Sequence, residues 1–120
     1  MKDKLIAIID NDIVFANALA SKLNSIGVQT VVIDSALELL SVLFVDRPDY
    51  IIVDTMLSWI DPYQFLESLY KNPALSDIKV FLMTRQQLSK GRSKKRETLM
   101  CFHKITESDL LIEKIREEIS

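Results

Sequence analysis

A chain of 120 residues is long enough for one domain with a real core, and 48% hydrophobic against 27% charged residues excludes a disordered chain. A formal net charge of −2 gives no global pull toward nucleic acid or lipid. Cys101 stands alone, which excludes an internal disulfide, the early apolar run Leu5–Ile9 is too short for a leader's hydrophobic region, and no stretch approaches the ~18 apolar residues that span a bilayer, so a cytoplasmic location away from the membrane is expected.

In chain order, the first element is the apolar run Leu5–Ile9, ended by Asp10-Asn11-Asp12. Leu19, Leu23 and Ile26 then follow helical spacing after Asp12, and Gly27 supplies the stop. Val28–Ile33 is a second β-branched run. The segment Ala36–Val45 predicts a helix capped by Asp34 or Ser35. Tyr50–Val53 is the third strand and ends in Asp54. Asp61-Pro62 opens the next helix, with Asp as cap and Pro at the first helical position. Val80–Met83 is the fourth strand, ended by Thr84. Residues 86–98 should hold a further helix, but Gly91 and Ser93 weaken it and its apolar face is poor. Leu99–Phe102 is a weaker fifth strand with Lys104 just beyond it. Thr106-x-x-Asp109 reads as a capping pair for the last helix, whose apolar stripe is Leu110, Ile112, Ile115 and Ile119.

The strand runs are continuously apolar instead of alternating, the pattern of parallel strands covered on both faces. Strands alternating with helices give βαβ units, whose crossovers are right-handed, and hence a single α/β, doubly wound, open parallel sheet of five strands with helices on both faces. Such sheets bind ligands beyond the carboxyl ends of their strands. The residues there are Asp10, Asn11 and Asp12 after strand one, Asp54 after strand three, Thr84 after strand four and Lys104 after strand five. Carboxylates alone would repel, and a phosphoryl group would add about 1.5–2 further negative charges. The set makes chemical sense with Mg²⁺, a hard ion that takes carboxylates, water and phosphate oxygens. An Asp carboxylate can attack a phosphoryl donor, while a lysine and a hydroxyl hold the transferred group. Each residue also has a plainer role: Asp12 as helix cap, Asp10 and Thr84 as turn formers, Lys104 as a solvated strand end. The conjunction favours the chemical reading.

At these positions the chain resembles the receiver domain of two-component response regulators over essentially its full length. Ile-Ile-Asp10-Asn11-Asp12 is similar to the family's acidic pair, and Tyr-Ile-Ile-Val-Asp54 to its phosphoacceptor strand. Val-Phe-Leu-Met-Thr84 matches the switch hydroxyl, and Phe-His-Lys104 the lysine that contacts the phosphoryl group. The resemblance implies a flavodoxin-like sheet of order 2-1-3-4-5. It implies Asp54 as phosphoacceptor, Thr84 and Lys104 as phosphoryl contacts, and Mg²⁺ held by Asp10, Asn11, Asp54 and the Met56 carbonyl, with Asp12 as a substitute ligand. It places Cys101 at the family's switch position. The implied partners are a histidine kinase or phosphotransfer protein, a downstream protein or fused output domain, and a second copy of the chain. Residues 1–120 would be one receiver-like domain, on its own or as the N-terminal part of a longer regulator. It would be a phosphoprotein in two-component signal transduction that at most assists its own phosphorylation and dephosphorylation, and is not otherwise an enzyme.

The sequence departs from that pattern at several points. Asn11 replaces an acid and should weaken Mg²⁺ binding. Arg85 follows Thr84 where a small residue is usual, so it modifies the pocket by crowding it or by adding a phosphate contact. Ile105 replaces a proline after Lys104, so a trans bond is expected there, since a non-proline cis bond costs ~3 kcal/mol. Cys101 replaces an aromatic residue, with Phe102 directed to the other sheet face. These changes make the atypical alternative concrete: a phosphorylation-independent receiver acting as a constitutive protein-protein interaction module. Six basic residues between Arg85 and Arg96 leave nine basic against 17 acidic ones elsewhere. The run lacks interleaved aromatics, so direct nucleic-acid binding by this domain is not expected. His103 has no second nitrogen or sulfur ligand near it and is not a zinc site. Trp59 should lie at the surface of the loop beyond Asp54, packing over the third helix.

Overall fold

The computed structural model describes residues 4–85 and 99–119. The described strands are β1 (Leu5–Ile9), β2 (Gln29–Ile33), β3 (Tyr50–Asp54), β4 (Lys79–Thr84) and β5 (Leu99–His103). The described helices are α1 (Ile13–Ser25), α2 (Ala36–Ser41), α3 (Pro62–Lys71) and α4 (Ser108–Ile119), and α2 runs on into a π-helical turn at Val42–Asp46. The strands form one parallel sheet in the order β2-β1-β3-β4-β5. This is the expected flavodoxin-like arrangement. The helix expected between β4 and β5 falls on residues 86–98, outside the described residues.

The sheet is covered twice, which explains the uninterrupted apolar strands. On one face Ala7, Ile9, Ile51, Val53 and Leu82 pack against Leu39 and Leu43 of the α2 segment and Phe65 and Leu69 of α3. On the other, Ile6, Ile8, Ile52, Phe81 and Met83 pack against Leu19 and Leu23 of α1 and Leu111 and Ile115 of α4. The period-two alternation of each strand divides its side chains between these layers. Cys101 and Phe102 follow the same rule, with Cys101 against the first layer and Phe102 within the second.

Local chemistry sets the helix ends. Asp12 Oδ1 accepts from the Phe15 amide and caps α1. At the far end Gly27, with φ of 92°, turns the chain: its amide donates to the Asn24 carbonyl and the Val28 amide to that of Leu23. Ser35, one of the two candidate caps, serves α2 by accepting from the Glu38 amide. Asp61 caps α3 through the Tyr63 and Gln64 amides, with Pro62 first in the helix.

Two expectations are corrected. The last helix begins at Ser108 and its buried stripe is Leu111, Ile112 and Ile115, while Leu110 is exposed. Leu110 lies two residues, about 200° of helical rotation, from Ile112 and so cannot share its face. Trp59 is half-buried instead of lying at the surface, though it packs as expected against the layer that holds Phe65 and Leu69 of α3, with its indole Nε1 buried and without a hydrogen-bond partner. Among the described helices, none is long and apolar enough to cross a membrane.

Candidate functional site

Four polar side chains, from Asp10, Asp54, Thr84 and Lys104, are buried among the described residues, and all four stand at the carboxyl ends of strands. Parallel register brings them together: Ile9 pairs with Val53, Asp54 with Met83 and Thr84 with His103. The Lys104 ammonium lies 2.9 Å from Asp10 Oδ2, 3.1 Å from Asp10 Oδ1 and 3.1 Å from Asp54 Oδ2. One cation therefore joins both carboxylates, and its own exposure is only 2%. The Phe15 ring lies beneath the ammonium at 4.6 Å, so the lysine is held by two anions and an aromatic face.

The backbone around Lys104 is fixed locally. Its amide donates to the Thr84 carbonyl at 2.8 Å. His103 Nδ1 accepts from the amides of Ile105 and Thr106, and the Glu107 carboxylate accepts from the His103 amide at 2.7 Å. The peptide before Ile105 is trans, as expected, and Lys104 still reaches both carboxylates. Sequence reasoning passed over Glu107 and set His103 aside. The Glu107–His103 spacing of four residues across a strand end was the one available signal.

Burial is the largest influence on Asp10 and raises its pKa above the usual carboxylate range, opposed by the hydrogen bond from Lys104. Asp54 differs in another way: its Oδ1 is buried with no hydrogen-bond partner. An acceptor-only oxygen in that condition is costly and fits a bound cation or an incoming group. The available oxygens are of the hard type that Mg²⁺ prefers, so Asp10, Asp54 and the Met56 carbonyl fit such an ion in kind, with one charge fewer than three acids would give. Among the described residues no three His, Cys, Asp or Glu side chains form a ready metal cage.

Asn11 shows why. Its amide nitrogen donates to the Met56 carbonyl at 3.3 Å and to Ser58 Oγ at 3.2 Å, joining the loops after β1 and β3. Asp12 is turned elsewhere, toward the Phe15 amide and, at 3.8 Å, toward Arg85 Nη2. Arg85 thus stands at the mouth of the pocket, about half exposed. The Met56 side chain is exposed, so only its backbone faces the cluster. Cys101 is half-buried on the first core layer, apart from the carboxylates.

The 2-1-3-4-5 sheet agrees with the comparison to known families. Residues 6–116 match the family model described as the response regulator receiver domain. The chain belongs to that family. Among curated relatives, the receiver domain is 33% identical over 87 residues, 72% of its length, to the "Probable transcriptional regulator ycf29" of Pyropia yezoensis. The matched part spans 39% of that relative's length. Among solved structures, it is similar to the signal receiver domain of a DNA binding response regulator (merR) from Colwellia psychrerythraea 34H, at 24% identity over 98% of each chain with a TM-score of 0.81. It is also similar to a CheY-like receiver domain from Methylobacillus flagellatus, at 15% identity over 99% of this chain and 100% of that one, with a TM-score of 0.77. At such identities the likeness of these structures is one of fold.

Proposed function

We propose that this receiver domain accepts a phosphoryl group on Asp54 and that the modified pocket biases a protein-interaction surface. The observation that carries the reading is the division of labour on one carboxylate: Asp54 Oδ2 is held by Lys104, while Oδ1 is buried and unpartnered. Oδ1 is the oxygen left to attack phosphorus. Lys104 would then neutralise charge on the transferred group, Thr84 would hold one of its oxygens, and Arg85 would add a second cation at the mouth. Mg²⁺, bound by Asp10, Asp54, the Met56 carbonyl and the Asn11 side chain, would lower the charge repulsion between acceptor and donor. Asp12, engaged with Phe15 and Arg85, would remain a helix cap. The donor would be a histidine kinase or phosphotransfer protein of the cytoplasm. The recipient of the signal would be a downstream protein, a fused output domain or a second copy, with Cys101 taking the place of the usual aromatic switch.

A second reading is favoured by the Asn11–Met56 hydrogen bond, which joins the two loops without an ion. On that reading the domain is a constitutive interaction module whose partner ignores Asp54. Beryllofluoride, a mimic of the acyl phosphate, separates the two when titrated with Mg²⁺ while Trp59 fluorescence is followed. The expected result is a saturable, Mg²⁺-dependent change that Asp54→Ala abolishes, together with a gain in intact mass after acetyl phosphate. A silent titration with no mass gain would refute the switch and leave the module.

A further inference from the structure

A cleft of about 320 Å³ opens between α1, the end of β4 and the start of α4, and it adjoins the acidic pocket through Lys104, which is part of its lining. Its apolar lining comes from Phe15, Ala18, Leu19 and Ile105, and its charge from Lys22 and Arg85 at the rim and Lys104 at the base. We infer that this cleft is a second binding site, for a small aromatic anion, and that its ligand weakens phosphoryl-group binding at Asp54 by sharing Arg85 and by packing against the ring under Lys104.

Size selects the ligand class. At about 320 Å³ the cleft lies at the lower end of the ~300–1,000 Å³ of small-ligand sites, which suits one aromatic ring with an anionic head. Charge selects the sign. Both rim cations are about half exposed or more, and among the described residues each has a distant counter-ion: Asp109 at 3.7 Å from Lys22, itself 91% exposed, and Asp12 at 3.8 Å from Arg85. Such pairs contribute little and are easily exchanged. A phosphate or carboxylate on the ligand would meet both cations, Arg85 with its planar fork. The ring would rest on the apolar lining, where Lys104 contributes its buried stem.

The coupling is physical. Phe15 lines the cleft and also carries the Lys104 ammonium at 4.6 Å, and that ammonium bridges Asp10 and Asp54. A bound anion adds negative charge beside the lysine and occupies Arg85, so it opposes a second anion on Asp54. By linkage, phosphoryl-group binding must weaken the cleft ligand equally. This arm rests on the proposed phosphoacceptor role, whereas the binding itself does not.

The test is an amide chemical-shift titration with phenyl phosphate in Mg²⁺-free buffer. Saturable shifts at Phe15, Ala18, Lys22, Ile105 and Ser108 are expected, with a Kd on the order of 0.1–1 mM. Inorganic phosphate and neutral 2-phenylethanol should each bind at least about tenfold more weakly, as should phenyl phosphate to Lys22→Gln. Ala18→Trp, at an exposed helix position, fills the cleft and should abolish binding, and each variant's own spectrum reports its fold. Shifts that never saturate, equal binding of inorganic phosphate, or indifference to both substitutions would overturn the site. With Mg²⁺ present, saturating phenyl phosphate should lower the apparent affinity for beryllofluoride several-fold. An unchanged affinity overturns the coupling. Failure of beryllofluoride to bind in the ligand's absence would instead count against the phosphoacceptor reading, and the cleft titration would be unaffected by it.

Discussion

Replacing Lys104 with Met keeps much of the side chain's volume and its contact with Phe15 but removes the one charge that joins Asp10 to Asp54. The carboxylate oxygens that straddle the ammonium at 2.9 and 3.1 Å cannot be more than about 6 Å apart. At an effective dielectric constant of ~20, two negative charges at that distance repel by at least about 2.8 kcal/mol. Both residues are almost fully buried, so desolvation adds to the repulsion. Removing one partner of a buried charge pair costs about 3–5 kcal/mol. That is a fifth or more of the roughly 5–15 kcal/mol that holds a domain of this size together.

The same physics fixes the pH dependence. Without the lysine, the hydrogen bond that opposes burial at Asp10 is gone, so Asp10 is raised further above its unfolded value. A folded-state pKa raised in this way destabilises the protein increasingly as pH rises through and beyond the unfolded value, and the loss is relieved as pH falls. Urea unfolding of Lys104→Met at pH 7.5 and pH 5 should therefore show the larger deficit at the higher pH. Asp10→Asn added to it should recover much of the loss. A deficit below about 1 kcal/mol, or one that is the same at both pH values, would refute the argument that this cation offsets two buried anions.

Other expectations follow from single contacts. Asn11→Asp should raise Mg²⁺ affinity by adding a carboxylate, yet lower stability in Mg²⁺-free buffer because the donor to Met56 and Ser58 is lost; Trp59 fluorescence with Mg²⁺ and urea midpoints without it would read the two effects. Glu118 is held below its usual pKa first by the hydrogen bond from Lys79, at 2.6 Å. Glu118→Gln should therefore cost about 0.5–1 kcal/mol at neutral pH, and the difference should vanish as pH falls through the folded-state pKa of Glu118, as measured by urea midpoints across an acid series. Gly27→Ala meets no atom within 4 Å, so its cost of about 1–2 kcal/mol should come from the backbone at φ 92° alone; thermal unfolding should show Gly27→Asn to be the milder change.

The strands and the four converging residues were legible because both signals are one-dimensional. A doubly covered strand must be apolar along its length, and in a parallel sheet the residue after each strand must lie on the same edge. Side-chain partners chosen by loop geometry were not legible. Asn11 lies 45 residues from Met56, and nothing in the spacing shows that its amide would meet that carbonyl. Nor did the sequence distinguish Leu110 from Leu111 for the buried stripe, because adjacent leucines satisfy either register until the helix start is known. The π-helical turn at Val42–Asp46 was hidden for a similar reason: Val42, Leu43, Phe44 and Val45 are all apolar and carry no periodicity to break.

The lysine that bridges two acids also sets a charge count for the pocket. At rest Asp10, Asp54 and Lys104 leave one net negative charge in a buried space, while Asp12 and Arg85 cancel each other at its mouth. On the proposed reading, a divalent cation alone overshoots to one net positive charge, and converting the Asp54 carboxylate (−1) into an acyl phosphate of about −2 in all brings the sum back to zero. An acid at position 11 would have shifted every one of these totals by one unit. The asparagine therefore makes the fully loaded pocket the neutral one, and low dielectric penalises most the states that stop halfway.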